Sequence, residues 1–224
     1  NRYESLENKY DKFLAGNYDY KANTYETNKI NLLSNPTSLY TKQPTVYYGL
    51  MYLAKNAKKE VKIHTPYIIC NDYMYKELKN IKVPTTIMTN SAENNGNIFG
   101  AVDYLNHKKD IINTGVTIKE YEGGISYHGK SMTIDDDIAI VGSFNMDMRS
   151  AYLDTELMLV INSKDINKQL KASMEEYEKK AATVKNETEY SHIPEGMKMK
   201  ELSDKKKNIK AWFGWAMNGL RFLF

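Results

Sequence analysis

Residues 127–145, YHGKSMTIDDDIAIVGSFN, form the most informative stretch of this 224-residue chain. Two short runs that alternate apolar and polar residues flank an acidic turn, and this arrangement predicts a strand hairpin over 131–143. His128 and Lys130 lie just before the first predicted strand, and Asn145 lies just after the second. A hairpin would therefore bring Asn145 back to the end of the sheet where the histidine and lysine stand.

These three side chains predict a phosphate-binding site. Residues two apart in an extended chain project from the same face, so His128 and Lys130 point into one pocket. An imidazole can act as nucleophile or acid, an ammonium supplies a point charge, and the Asn145 amide supplies an oriented donor. A single histidine is more often structural than catalytic, and we assign a structural role to His64, which lies within a predicted strand.

The composition limits the chemistry and the partners. The single cysteine, Cys70, excludes an internal disulfide framework and a cysteine-built zinc site. Three consecutive carboxylates in the acidic turn project in different directions and are typical of solvated turn residues, so we expect no metal ion and no cofactor. A net charge of +3 is too small to indicate a polyanion, and we expect no nucleic acid partner. No segment reaches the ~20 apolar residues that span a bilayer.

Strand and helix patterns alternate through the middle of the chain. Apolar periodicity predicts these elements in order: strand 30–33, helix 45–58, strand 61–69, helix 73–79, strand 85–89, helix 98–113, strand 116–121, the hairpin, strand 156–161 and helix 165–182. This rhythm predicts an α/β fold with a mixed, mostly parallel sheet flanked by helices on both faces.

We divide the chain into three segments. Residues 1–44 form an N-terminal helical or connector segment, with a short helix before residue 27, and residues 45–182 form the main domain. Residues 183–224 form a basic connector and an apolar tail that contains Trp212 and Trp215. A lysine-rich run followed by Trp, Phe and Leu is typical of a segment at a membrane interface, and it fits equally a helix that packs on its own domain.

The pattern His128-x-Lys130-x-x-x-x-Asp135, followed by Gly142-Ser143-x-Asn145, resembles the HKD signature of the phospholipase D superfamily. The resemblance covers about residues 45–182 and includes VKIHTPYII, IMTNS and MDMRSAYLDTELMLVI. The chain is most similar to the C-terminal half of a bacterial cardiolipin synthase, and the resemblance implies one half of a phospholipase D-like fold.

The resemblance implies a two-step phosphoryl transfer through a phosphohistidine, with attack and departure on opposite sides of phosphorus. One imidazole cannot reach both sides, so two HKD motifs share one substrate. His128 is then one of the two catalytic histidines, and its implied role is acid and then base. Lys130 and Asn145 bind phosphate, and Ser143 stands near the phosphate oxygens.

Two acidic residues complete the implied site. Glu156 falls where the family places a carboxylate that hydrogen-bonds the far nitrogen of the histidine, fixing its tautomer. Asp135 belongs to the catalytic signature, but it resembles a position that supports the loop and does not touch substrate.

The chain carries one HKD motif, so its active centre is incomplete by itself. Because the sequence begins without Met and resembles a C-terminal half, we expect a missing N-terminal HKD half; pairing of two copies is the alternative. The function implied is phosphatidyl transfer or hydrolysis on phospholipids at the cell membrane, as in a cardiolipin synthase. The alternatives are a phosphodiesterase or nuclease that acts as a homodimer, and a lipid-binding half that is inactive when isolated.

Overall fold

The computed structural model describes residues 19, 21–22, 24–38, 40, 42–213 and 219–223. The elements within these residues are, in chain order, β1 (Lys29–Ser34), α1 (Thr45–Lys55), β2 (Val61–His64), β3 (Ile68–Ile69), α2 (Asp72–Lys79), β4 (Thr85–Asn90), α3 (Ile98–Ile112), β5 (Thr117–Tyr121), β6 (Ser131–Ile134), β7 (Ile138–Gly142), β8 (Met146–Asp147), α4 (Met148–Tyr152), β9 (Leu157–Asn162), α5 (Lys164–Glu178), β10 (Ala181–Val184), β11 (Tyr190–His192), α6 (Asp204–Phe213) and a 3-10 helix (Arg221–Leu223). Trp215 and residues 1–18, which include most of the predicted N-terminal helix, lie outside the described residues.

A nine-stranded mixed sheet with the order β1-β9-β7-β6-β2-β4-β5-β10-β11 forms the centre of the described chain. Strands β2, β4 and β5 pair in parallel, and the other neighbours in this sheet pair antiparallel. The predicted mixed α/β class is confirmed, but the parallel part is limited to three strands. Alternating patterns identify strands and their faces without specifying the direction of the neighbouring strand, so the prediction of a mostly parallel sheet needs this correction.

Helices cover both faces of the sheet, as predicted. On one face, Tyr47 and Met51 of α1 are fully buried in a core that also contains Ile63 of β2 and Ile87 of β4. Each fully buried side chain of this size contributes about 1.5–3 kcal/mol. On the other face α5 lies across β5, β6 and β7, and its Glu175 pairs with a lysine of β2.

One edge of the sheet collects the ends of several strands. The parallel strands β2, β4 and β5 end there, and β6 starts there because Ser131 pairs with His64. Strand β7 ends and β9 begins at the same edge, where Gly142 pairs with Met158. The carboxyl edge of parallel strands is the usual position of ligand sites in α/β sheets. The acidic turn between β6 and β7 lies at the opposite edge.

Two predicted elements differ most in extent. The predicted strand 61–69 is interrupted at residues 65–67, where the Thr65 side chain donates to the carbonyl of Tyr67, so it forms β2 and the separate short strand β3. The predicted helix 165–182 ends at Glu178, because residues 181–184 pair with β5 as β10. Alanine favours helices, but here burial in the sheet between β5 and β11 overrides that propensity.

The C-terminal segment contacts the domain through polar groups and exposes apolar ones. Arg221 donates to both carboxylate oxygens of Asp103 in α3, at 2.6 and 3.1 Å, and to the carbonyl of Cys70 at 2.9 Å. Trp212 is 84% exposed, and the apolar residues around Arg221 are exposed as well, namely Leu220, Phe222 and Leu223. None of the helices within the described residues has the length and apolarity needed to cross a bilayer.

Candidate active site

The topology brings five of the six predicted site residues to the edge where the parallel strands end. They are His128, Lys130, Ser143, Asn145 and Glu156, which lie just before β6, just after β7 and just before β9. The Gly142 N–H donates to the Lys130 carbonyl at 3.2 Å, so the segments that carry the histidine and the asparagine are joined directly. The predicted convergence through a hairpin is therefore present in the backbone.

His128 and Lys130 are in direct contact. Lys130 Nζ lies 3.0 Å from His128 Nδ1 and 2.9 Å from the His128 carbonyl oxygen. An ammonium can only donate hydrogen bonds, so Nδ1 accepts in this contact and the neutral ring carries its proton on Nε2. The ring of Tyr67 lies edge-on to the imidazole, with 6.1 Å between ring centroids.

Burial and charge set the protonation of this pair. Burial, and then the charge of Lys130, lower the pKa of His128. Burial also lowers the pKa of Lys130, against the opposite effect of the nearby Glu156 and Asp147 carboxylates. Burial raises the pKa of Asp147 to about 6, against hydrogen bonds from Ser150. A bound anion would favour the charged forms of both the lysine and the histidine.

Glu156 is buried and accepts hydrogen bonds from two serine hydroxyls. Ser143 donates to one carboxylate oxygen, and Ser150 donates to the other at 2.8 Å. The Ser150 hydroxyl also accepts from the backbone N–H and side-chain amide of Asn145, both at 3.2 Å. Glu156 makes no hydrogen bond to His128 within the described residues; Lys130 lies at Nδ1 of the imidazole, and the two serines engage the carboxylate. The hydrogen bond that the resemblance implies is thus not formed here, and the catalytic role of Glu156 stays a prediction.

Asn145 retains an unused acceptor. Its Oδ1 atom is buried and has no hydrogen-bond partner within the described residues. Phe144, which is also buried, packs against Tyr47 in the core with 6.1 Å between ring centroids. This packing fixes the turn on which Ser143 and Asn145 stand. Buried polar atoms are rarely left unpaired, so this acceptor is an exception among the described residues.

Asp135 lies apart from this cluster, at the other end of β6. Its carboxylate accepts backbone N–H bonds from Lys58 at 2.9 Å, Lys59 at 2.7 Å and Glu60 at 3.2 Å. Desolvation opposes its charge, but these bonds outweigh that effect and lower the pKa of Asp135. The residue has φ of 52°, a conformation that aspartate tolerates better than most residues. It joins the acidic turn to the loop before β2, as the supporting role predicted for it would require.

Asp136, the next residue of the turn, has different partners. Asp136 forms ion pairs with Lys59 and Lys171. No group of three or more His, Cys, Asp or Glu side chains suited to a metal ion occurs within the part of the chain that is described.

Sequence reasoning missed Ser150, which joins Glu156 to Asn145. A local signal for it exists. Asp147 is the N-cap of α4 and accepts from the Ser150 N–H at 2.6 Å, and aspartate is a preferred residue at this position. Tyr67 was missed as well, and nothing in its sequence neighbourhood indicates that its ring lies beside His128.

The remaining histidines have other surroundings. His64 is buried on the α5 face, where Nε2 lies 3.2 Å from Glu178 and Nδ1 lies 3.3 Å from the Tyr127 hydroxyl. His107 in α3 lies 3.1 Å from Asp110. His192 is exposed in β11. Among the described histidines, His128 alone is hydrogen-bonded to a lysine side chain.

A cleft opens beside His128 on the α5 side of the sheet. Its volume is about 520 Å³. The lining is mostly aromatic and aliphatic and consists of Tyr121, Ile125, Ser126, Tyr127, His128, Gly129, Ser131, Leu170, Ser173, Met174 and Tyr177. The histidine therefore lies between a charged cluster and an apolar cleft.

Comparison with known proteins identifies relatives of this chain. Residues 50–177 match the family model described as cardiolipin synthase, PLD-like domain. Cardiolipin synthase 1 of Staphylococcus epidermidis is 30% identical over 159 residues, which are 70% of this chain and 32% of that protein. The chain thus spans about a third of the length of that relative.

Solved structures support the fold. Phosphatidylserine synthase of Haemophilus influenzae superposes with a TM-score of 0.63 and 16% identity, covering 87% of this chain and 48% of its own. The phospholipase D family member Nuc of Salmonella typhimurium superposes with a TM-score of 0.56 and 16% identity, covering 70% of this chain and 97% of its own. The chain therefore belongs to the PLD-like domain family of cardiolipin synthases, within the phospholipase D superfamily.

Proposed function

We propose that this chain supplies one half-site of an enzyme that transfers phosphatidyl groups between alcohols. The observation that carries the proposal is the direct contact between His128 and Lys130 at the sheet edge, joined through the Lys130 carbonyl to the Gly142 turn that leads to Asn145. Membership of the cardiolipin synthase domain family supports phospholipid as the substrate class.

In the proposed reaction, a histidine of the second half-site attacks phosphorus and a phosphorus–oxygen bond breaks. The departing alcohol oxygen takes a proton from the His128 imidazolium. In the second step, the acceptor alcohol gives its proton to His128, and its oxygen displaces the histidine of the second half-site from phosphorus. Attack and departure occur on opposite sides of phosphorus, which is why one imidazole cannot perform both.

The other residues bind and orient the phosphate. Lys130 would move from His128 to a phosphate oxygen, which gains a charge-assisted hydrogen bond. Asn145 would donate from its side-chain amide to a phosphate oxygen. Ser143 would lie near the phosphate oxygens, and Glu156, which accepts from Ser143 in the structure, would orient His128 through its far nitrogen.

The proposed enzyme works at a membrane surface. The exposed Trp212 and the exposed apolar residues around Arg221 support this location, and the exposed lysines of α6, namely Lys205, Lys207 and Lys210, suit an anionic bilayer. The partner is a second HKD half, which is either an upstream part of the same polypeptide or a second copy of the chain.

The test is turnover of phosphatidylglycerol vesicles by the full-length protein that contains this chain. His128→Ala should lower turnover by at least ~1000-fold, as loss of a catalytic histidine does. His192→Ala is the matched control, because His192 is exposed and lies in the peripheral strand β11. Turnover of His128→Ala at the wild-type rate would refute the assignment. Cleavage of nucleic acid by wild-type protein that leaves phosphatidylglycerol intact would replace phospholipid as the substrate class.

A further inference from the structure

An asparagine at the end of β4 holds the backbone just before His128. Asn90 is buried, and its side chain forms two hydrogen bonds with a single residue. Its Oδ1 accepts from the Tyr127 N–H at 2.7 Å, and its Nδ2 donates to the Tyr127 carbonyl at 2.9 Å. Paired residues of antiparallel strands exchange two such hydrogen bonds, and the Asn90 side chain forms the equivalent pair with the Tyr127 backbone. The pair fixes both the position and the orientation of Tyr127.

The loop that follows Asn90 extends this clamp. Asn94 Nδ2 donates to Asn90 Oδ1 and to the Ile125 carbonyl, both at 3.2 Å. The Gly96 N–H donates to the Ser126 hydroxyl at 3.1 Å. Three consecutive residues before His128 are therefore bound by the loop over residues 90–97, which we call the asparagine loop.

The asparagine loop is in turn held by the C-terminal helix. Lys206 of α6 is buried, and its ammonium donates to the carbonyls of Ala92 at 2.8 Å, Glu93 at 2.6 Å and Asn95 at 3.0 Å. The Ser203 N–H donates to the Glu93 carboxylate at 3.0 Å. A lysine with all three protons bound to one loop restrains that loop far more than an exposed surface lysine would.

The structure assigns Asn90 and Lys206 as positioning residues for His128, with Lys206 acting through the asparagine loop and Asn90 acting through the Tyr127 backbone. This inference rests on the proposed function for its effect on turnover, but its effect on the Tyr127 backbone is independent of that function. Displacing a catalytic group by about 1 Å can cost ~100-fold in rate, so the clamp is placed where small shifts matter.

The first test is amide hydrogen exchange in the isolated chain, measured by NMR. Asn90→Ala removes the acceptor of the Tyr127 N–H and should speed exchange of that amide by at least ~10-fold. Asn90→Asp keeps an acceptor and should give a smaller change. Lys206→Met should speed exchange at Tyr127 by ~3-fold or more, although it lies outside contact with Tyr127. Lys205→Met is the control, because Lys205 is exposed on the same helix.

The second test is turnover in the full-length protein. Asn90→Ala and Lys206→Met should lower kcat by ~10- to 100-fold with little change in KM. Exchange at the Ile87 amide, in the middle of β4, reports whether either variant loosens the whole domain. Lys206→Met keeps the inference testable if Asn90→Ala does not fold.

The outcomes separate this inference from the proposed function. Wild-type exchange at Tyr127 in both variants would overturn the clamp, whatever the enzyme does. Faster exchange at Tyr127 with wild-type kcat would overturn the positioning role. A wild-type protein without phosphodiester turnover would refute the proposed function, and the exchange data would still decide whether the clamp exists.

Discussion

Replacement of Asp135 by alanine tests whether the aspartate of the HKD signature stabilises the fold or takes part in the reaction. The substitution removes an acceptor of three backbone N–H bonds and places alanine at φ of 52°. Buried hydrogen bonds to a charged acceptor contribute about 1.5–3 kcal/mol each. Because water screens this turn, we expect the three bonds together to contribute about 1–2 kcal/mol. The left-handed backbone adds about 1 kcal/mol for alanine. The free energy of unfolding should therefore fall by about 2–3 kcal/mol.

Urea denaturation of three variants tests how that loss is divided. Asp135→Asn keeps one acceptor and a residue that tolerates positive φ, so it should cost the least. Asp135→Gly relieves the backbone but loses every acceptor, and Asp135→Ala should cost the most. For a domain of this size, the loss in the alanine variant corresponds to a Tm lower by roughly 5–10 °C.

The direction of the pKa shift determines how the stability contributed by Asp135 depends on pH. Because the folded pKa of Asp135 is lowered from 3.8, its stabilisation is present above that value and is lost as the pH falls through the folded pKa. The difference between wild type and Asp135→Ala should thus be full at neutral pH and shrink below about pH 4. An alanine variant with the wild-type unfolding midpoint but no turnover would show that Asp135 acts in the chemistry, and the scaffold argument would fail.

Two further predictions follow from charges and exposed surface. Lys130→Met removes the ammonium beside Nδ1, so the pKa of His128 should rise toward 6.5 in an NMR titration; an unchanged pKa would leave burial as its sole determinant. Replacing Leu220, Phe222 and Leu223 with serine while keeping Arg221 should weaken binding to anionic phospholipid vesicles by about 10-fold or more at unchanged Tm. Unaltered binding would show that these residues do not contact the bilayer.

Local patterns were sufficient to predict the hairpin and the meeting of its ends. The spacing of two between His128 and Lys130 places both on one face, and the 3.0 Å contact follows from that spacing once the chain is extended. The helix 45–58 was predicted from the period of its apolar residues, and α1 buries the same face, including Leu50 and Ala54. In each case the information lies within a few residues of the element that it determines.

Contacts between distant segments were beyond those patterns. Whether a strand pairs parallel or antiparallel depends on which strand becomes its neighbour. The periodicity of β9 therefore cannot show that it pairs antiparallel with both β1 and β7. Lys206 reads as one lysine in a basic run, and its three bonds to the asparagine loop depend on packing across more than 100 residues. The hydrogen bond between Ser150 and Glu156, by contrast, joins residues six positions apart, and the Asp147 cap beside it is a signal that the local sequence carries.

In the proposed reaction, the contact between Lys130 and His128 would couple phosphate binding to proton transfer. While the ammonium occupies Nδ1, protonation of the ring would set two donors against each other, and this opposition helps to lower the pKa of His128. A phosphate oxygen that attracts Lys130 removes the opposing donor and adds a negative charge nearby. Both changes favour the imidazolium that the proposed protonation of a leaving alcohol requires. Phosphate binding would then raise the pKa of His128 and favour its protonated form, and Lys130→Met should abolish the part of that increase that comes from moving the ammonium.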